Sequence, residues 1–336
     1  MILLLGASGY VGSAFASELR RRGHSFIPLT RRAFDYTRFD FLFDYLRTMK
    51  PAFLINAAAY SGHDASTQPD SLQQEREKMM AANAILPQMI ARICMMTKTP
   101  WGHVSSGEIY SGAKVMRANG LETEKDLSVA EVRRQFDADP AAFRGFTELD
   151  EPNFSFRHTP SSFFSGSKAL AEEAIRELGS IYIWRPRMLF NEKDEPCNYL
   201  RAVQQQPIVY DHVDSISHLA DFVKAALDLW ETRAPYGTYN MTNPGTVTTR
   251  QLAEDLHRAV KSNYPLTIAP PDQDPAGLDS EKPEAHCLLD VGKLQKAGVK
   301  IRPVQEALKD VLDRIRLTTR SYKTVEAQTT HLATAS

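Results

Sequence analysis

The chain has 336 residues, with 40 Lys and Arg against 41 Asp and Glu and a formal net charge of -1. That balance leaves no overall field to recruit a nucleic acid or an anionic membrane, so any anion must be held by a local site. Three cysteines, Cys94, Cys197 and Cys287, are an odd number without short spacing; this argues against a disulfide framework or a cysteine-based zinc site and suits a reducing, cytoplasmic setting.

The opening apolar run, residues 2–5, is too short for a membrane span and lacks the basic flank of a signal peptide. It stops at Gly6, after which Val11, Ala14, Phe15 and Leu19 recur at helical spacing. Apolar runs at 25–29, 53–56, 103–106 and 181–185 then alternate with helical patterns at 39–49, 76–97 and 163–178. Such alternation predicts an α/β fold, a Rossmann doubly wound parallel sheet with helices on both faces, over residues 1–185. From 186 to 320 the pieces shorten to a helix at 219–230, an Asn243-Pro244-Gly245 turn and a helix at 249–260 whose threonines can cap its start. We expect here a smaller C-terminal α/β lobe that binds substrate. Two segments stand apart: 113–144, charged and poor in strand pattern, as an insertion or lid, and 321–336, rich in Thr, Ala and Ser, as a disordered tail.

Gly6-Ala7-Ser8-Gly9-Tyr10-Val11-Gly12 lies between the first strand and the first helix. Glycines there permit a tight turn, close approach of a pyrophosphate and close helix packing. The expected cofactor contacts are Gly6, Ser8, Gly9, Tyr10, Val11 and Gly12. The second strand ends Thr30-Arg31-Arg32, without the acid that would bond an NAD ribose and repel a 2′-phosphate, so NADP(H) is favoured and NAD(H) stays open. Asp35 is a candidate for the adenine edge or the cap of a turn. Ala57, Ala58 and Ala59 place small residues where backbone could run beside the cofactor.

With these segments, Asn56-Ala57-Ala58-Ala59-Tyr60, Phe146-Thr147-Glu148, Pro152-Asn153-Phe154, Arg185-Pro186-Arg187-Met188 and Asn240-Met241-Thr242-Asn243-Pro244-Gly245 make the chain resemble the dTDP-4-dehydrorhamnose reductase family of extended short-chain dehydrogenase/reductases. The likeness is to its rhamnose-forming 3,5-epimerase/4-reductase branch and runs to about residue 312. The resemblance implies a nucleotide-diphosphate sugar, commonly a 4-keto-6-deoxyhexose, bound between the lobes with its pyranose near the nicotinamide. It leaves a homodimer open.

Two departures shape the expected chemistry. The family's Tyr, which donates a proton four residues before a Lys, is here Phe164 ahead of Lys168, and phenylalanine has no transferable proton. Lys168 can still hold the nicotinamide ribose. In Ser105-Ser106-Gly107-Glu108-Ile109-Tyr110, Glu108 stands where the rhamnose branch has Cys and where nucleotide-sugar 4,6-dehydratases have Glu. A carboxylate beside a 4-keto sugar can remove the acidic proton next to the carbonyl, which makes Glu108 the preferred general base. Ser106 matches the hydroxyl that bonds the reacting oxygen, and Tyr110 is the nearest phenol that could replace the missing one, although packing is its commoner use. Arg187 and Asn198 could meet the nucleotide or diphosphate, a structural salt bridge being an equal use of the arginine. The nine histidines lack metal-ligand spacing, and no metal is expected. Three readings follow: a nucleotide-sugar epimerase or dehydratase with Glu108 as base, an NADPH-dependent 4-keto-6-deoxysugar reductase, and a non-catalytic cofactor-binding regulatory subunit.

Overall fold

A computed structural model describes the backbone of residues 1–62, 69–260, 265–269 and 284–333, and the side chains of these except 69–71 and 319–333. In chain order the Rossmann part holds β1 (Ile2–Leu5), α1 (Tyr10–Arg21), β2 (Phe26–Leu29), α2 (Phe39–Met49), β3 (Phe53–Asn56), α3 (Pro69–Met79), a π-helical segment (Met80–Ile85), α4 (Leu86–Thr97) and β4 (Trp101–Val104). The segment 113–144 supplies β5 (Ala113–Arg117), β6 (Gly120–Glu124), α5 (Ala130–Ala138) and β7 (Phe143–Arg144), before α6 (Phe163–Ile175) and β8 (Ile181–Arg185). The remainder is β9 (Leu189–Phe190), α7 (Tyr199–Gln205), β10 (Val213–Asp214), β11 (Ser217–His218), α8 (Leu219–Glu231), β12 (Gly237–Asn240), β13 (Val247–Thr248), α9 (Thr249–Val260), α10 (Gly292–Lys296) and α11 (Val304–Ala333).

Six parallel strands form the central sheet in the order β12-β8-β4-β3-β1-β2. The chain reverses direction across the sheet between β1 and β3, and ligands of open α/β sheets lie at the carboxyl ends of strands beside such a switch point. Strands buried on both faces need apolar residues at every position, as in Ile2-Leu3-Leu4-Leu5, rather than alternation. Phe15 and Leu19 of α1 with Phe222 of α8 close one face. Leu42, Leu46, Ile90, Ile93 and Ile175, from α2, α4 and α6, close the other. The stretch Leu72–Thr97 is long and apolar enough to cross a membrane by length and composition alone, but Ile90, Ala91, Ile93 and Cys94 spend its apolar face on the sheet.

The smaller lobe has its own core, in which α7, α9 and α11 pack through Leu200, Leu252, Leu256, Ala307 and Val311. One expectation changes. Segment 113–144 is not strand-poor: β6-β5-β7 form an antiparallel sheet, whose Val115, Val132, Phe136 and Phe143 pack with Val213 and Leu288 of the lobe. Its charged residues hid the pattern because only Ala113 and Val115 of β5 point fully inward. Helix α11 runs from Val304 to Ala333, with neither Gly nor Pro after 304 to stop it; residues 334–336 lie outside the described residues.

Candidate active site

At the switch point, β1 turns into α1 through Gly6, whose φ of 74° suits glycine. A Cβ on Gly6 would lie 2.6 Å from the Ala58 nitrogen, and one on Gly12 would lie 2.0 Å from the Gly6 oxygen. These two glycines serve the protein's own packing. Gly9 differs: its Cβ would meet only the Gly6 oxygen, at 3.4 Å, and it heads α1 with no side-chain cap. Unsatisfied N–H groups and the positive end of the helix dipole therefore face a space that the fold leaves clear, which fits a pyrophosphate. The exposed Arg31 and Arg32 follow β2 and carry no ion pair among the described residues. Asp35 Oδ1 accepts from Thr37 N at 3.2 Å and from Thr37 Oγ1 at 2.5 Å, so that oxygen serves its own turn. Tyr10 lies under loop 191–197, its buried phenol raised well above its usual pKa by burial and then by Glu195.

Beyond β3, Ala57 N donates to Leu5 O at 3.1 Å. Asn83, fully buried in the π-helical segment, accepts from Tyr60 N at 2.9 Å and donates to Tyr60 O at 2.8 Å and Ser167 Oγ at 3.3 Å. It clips the strand end holding Ala57, Ala58 and Ala59 to α6, a role that sequence reading missed. An asparagine inside Ala81-Ala82-Asn83-Ala84 was the available signal.

After β4, Ser106 caps a 3₁₀ turn, its Oγ accepting from Glu108 N at 3.1 Å. The Glu108 carboxylate has no hydrogen bond or ion pair among the described residues. Burial raises its pKa; Arg187 and Lys168 pull it down, while Glu284 and Asp214 push it up. The residue is only half-buried, so water at the strand ends softens the desolvation. Lys168 is fully buried, donates to Val104 O at 3.0 Å, and has its pKa lowered to about 8 by burial against the opposing pull of Glu172 and Glu108. The Phe164 ring lies 5.7 Å from Lys168 Nζ. Thus Ser106, Glu108, Phe164 and Lys168 come together at the carboxyl edge of the sheet.

Three expected site residues belong instead to the frame. Tyr110 is fully buried, stacks on Phe146 at 4.8 Å, donates to Asp150 O at 2.7 Å and accepts from Arg185 at 2.9 Å. With its proton committed, it does not stand in for the missing phenol. Arg187 gives Nε and Nη2 to Asp214 Oδ1 at 3.1 and 2.6 Å, and Nη2 also to Ala285 O, so no fork remains for a diphosphate. Asn198 caps α7 through Leu200 N at 3.1 Å and ties Asn191 O at 2.9 Å to Lys193 O at 2.6 Å. A cavity of about 440 Å³ lies against a different face of α6, lined by Glu148, Phe156, Arg157 and Arg176. It contains none of the four site residues.

A parallel sheet with a glycine turn at its switch point and a buried lysine on α6 beside the carboxyl end of β4 defines a dinucleotide-binding protein of the extended short-chain dehydrogenase/reductase class. The chain belongs to the RmlD substrate binding domain family, whose profile matches residues 1–317. It is 24% identical over 264 residues to the trifunctional UDP-glucose 4,6-dehydratase/UDP-4-keto-6-deoxy-D-glucose 3,5-epimerase/UDP-4-keto-L-rhamnose-reductase of Arabidopsis thaliana, covering 78% of this chain and 34% of that protein. The chain thus spans about a third of that relative's length. Among solved structures, the L780 UDP-rhamnose synthase of Acanthamoeba polyphaga mimivirus superposes with a TM-score of 0.74 at 19% identity, over 93% of this chain and 98% of that one. The dTDP-4-dehydrorhamnose reductase of Bacillus anthracis, in complex with NADP, does so with a TM-score of 0.68 at 17% identity, over 94% and 98%.

Proposed function

We propose that the protein acts on a nucleotide-diphosphate hexose or its 4-keto-6-deoxy derivative as an epimerase or dehydratase, with Glu108 as general base. The observation that carries this reading is an unpartnered carboxylate with a raised pKa at the carboxyl edge of the sheet, beside Lys168. Glu108 takes the proton from the carbon next to the C4 carbonyl, and the C–H electron pair moves into the carbonyl as an enolate. Ser106 hydrogen-bonds that oxygen, for its Oγ already accepts from Glu108 N and its own proton is left to donate. On a 4-keto sugar, return of a proton from water on the opposite face completes epimerisation with no redox change. On the hexose, the carbonyl would first form by loss of the C4 hydride to the bound nicotinamide; the proton taken by Glu108 would leave with the β-hydroxyl as water, and the same hydride would return to the unsaturated product, so that no net oxidant is consumed.

The glycine turn and the start of α1 would hold the pyrophosphate, and Lys168 the nicotinamide ribose. Arg31 and Arg32 favour NADP(H) over NAD(H) through a 2′-phosphate, in line with the NADP held by the Bacillus anthracis relative. When bound, the nicotinamide exchanges a hydride with the sugar. The free Ser106 proton also supports a second reading, net 4-keto reduction of the rhamnose type. Phe164 in place of a proton donor supports a third, a cofactor-binding regulatory subunit.

Denaturing the purified protein and identifying released nicotinamide by mass spectrometry separates these readings, because a self-contained redox cycle retains its cofactor. Stoichiometric release, together with loss of deuterium exchange at C3 or C5 of a 4-keto-6-deoxy nucleotide-sugar in Glu108→Gln, is the expected outcome. Full exchange in Glu108→Gln sinks the base assignment. NADPH uptake by an empty protein followed by oxidation on 4-keto sugar selects the reductase; uptake with no turnover selects the regulatory subunit.

A further inference from the structure

Beneath Glu108 lies a buried charge assembly that the reaction as written does not use. Asp214, at the end of β10, is 1% exposed, and Arg187, just beyond β8, is also 1% exposed. Asp214 Oδ1 accepts from Arg187 and from Cys287 N at 3.0 Å, and Oδ2 pairs with His286 Nδ1 at 2.7 Å. The His286 ring stacks on His212 with centroids 3.5 Å apart and planes 2° apart. Every oxygen of Asp214 is thus engaged, and two of the three guanidinium nitrogens of Arg187 are fixed. The third, Nη1, is buried with no hydrogen-bond partner among the described residues. An unpaired buried donor of this kind is costly and calls for an explanation.

Position ties the assembly to the turn that carries Glu108. Gly107, next to Glu108, approaches the Arg187 stem so closely that a Cβ on it would lie 3.3 Å from Arg187 Cβ. Glu108 and Arg187 act on each other's charge, yet the ion pair of Arg187 is with Asp214. Because Nη1 is shut off from solvent, a ligand in the crevice does not reach it. We propose that Arg187, clamped by Asp214 and His286, is a positioning residue that holds Glu108 ionised and ready as a base without touching substrate.

This rests on the reading of Glu108 as base. The groups facing Glu108 are Arg187, Asp214 of β10, Lys168 of α6, Glu284 and the neutral thiol of Cys287. Arg187 and Lys168 are the cations among them, and Lys168, with its pKa near 8, loses charge as the pH rises; Arg187 does not. A full charge several ångströms away at an effective dielectric near 20 moves a carboxyl midpoint by roughly one to two pH units.

The test follows the Glu108 carboxyl by ¹³C NMR in the full chain, the resonance being assigned by its loss in Glu108→Gln, alongside the pH profile of sugar deuterium exchange. Arg187→Met is expected to raise the Glu108 midpoint and the acid limb of the rate by at least about one pH unit. That is a tenfold rate loss below the limb, recovered at higher pH, with KM unchanged. Asp214→Asn, which removes the opposing charge, is expected to move both the other way, a pair of opposite shifts that general loosening of the fold does not produce. If Arg187→Met does not fold, Asp214→Asn decides by its sign, with Arg187→Lys expected to keep the wild-type midpoint. Shifts in the same direction, no shift, or a raised KM with a fixed limb overturn the proposal. Full exchange in Glu108→Gln overturns instead the base assignment, and the NMR midpoint still reports whether Arg187 controls the carboxyl.

Discussion

Gly9→Ala and Gly12→Ala separate folding from cofactor capture within one turn. At Gly12 the added carbon would sit 2.0 Å from the Gly6 oxygen, a backbone atom that cannot swing aside. The turn and α1 would have to part by more than ~1 Å, pulling Phe15 off Trp184, on which it stacks at 5.7 Å. Overpacking of this kind costs ~1–3 kcal/mol or more. At Gly9 the backbone angles, φ -78° and ψ 171°, suit alanine, and the new carbon has only a 3.4 Å neighbour. Losing glycine at a helix cap costs a few tenths to ~1 kcal/mol, and stiffening the unfolded chain returns a similar amount. The fold should therefore keep its Tm to within about 3 °C. The methyl fills the space in front of the helix N-terminus, where each lost charge-assisted hydrogen bond to a pyrophosphate is worth ~1.5–3 kcal/mol. Fluorescence titration with NADPH should show at least about tenfold weaker binding in Gly9→Ala. Wild-type affinity for both NADPH and NADH in this variant, with the fold intact, would refute the assignment of the turn as a dinucleotide cradle.

Four further outcomes are expected. Phe164→Tyr restores a phenol near Lys168 and should raise net NADPH oxidation on a 4-keto-6-deoxy nucleotide-sugar if reduction is the reaction; no rise counts against the reductase. Arg31→Ala with Arg32→Ala should weaken NADPH binding several-fold and leave NADH binding unchanged, read by the same titration. Lys168 has a folded pKa near 8, below its unfolded value near ~10.4, so the folded state resists its protonation. The penalty is fully present below pH 8 and fades as the pH rises from 8 towards 10.4, by at most about 1.4 kcal/mol per pH unit. Lys168→Met should accordingly be more stable than wild type at pH 7 in urea melts, with the gap closing over that window. Tyr110→Phe leaves a buried Arg185 nitrogen and the Asp150 carbonyl without their partner, and should cost ~1–3 kcal/mol of stability while activity per folded molecule stays unchanged.

The layered α/β fold was legible because buried parallel strands are written as continuous apolar runs, and the glycine turn because its place between strand and helix is itself the signal. Strand order was not, since it depends on which run pairs with which; the switch between β1 and β3 emerges only from the ladders. Site residues were legible as types and positions, but not in their commitments. Tyr110 reads as a spare phenol until Arg185 and Asp150, 75 and 40 residues away, close on it. Arg187 reads as a phosphate fork until Asp214 occupies it. His286 carried no motif at all, because its meaning comes from Asp214, 72 residues earlier. The strands of 113–144 escaped notice because strands of five residues or fewer leave few apolar positions to count.

That inserted sheet is attached in a way that bears on engineering. Gly112 takes a hydrogen bond from Leu288 N and gives one to His286 O, while Phe146 takes one from Asp290 N and gives one to Leu288 O. Residues 286, 288 and 290 present the same edge of one extended segment, so the two stems of the insertion stand side by side, about 7 Å apart along it. A protein whose added module enters and leaves through neighbouring ports can exchange that module without re-routing its chain. The same ports could accept a shorter linker or a foreign hairpin, provided that the cut restores a cover for Val213 and Leu288.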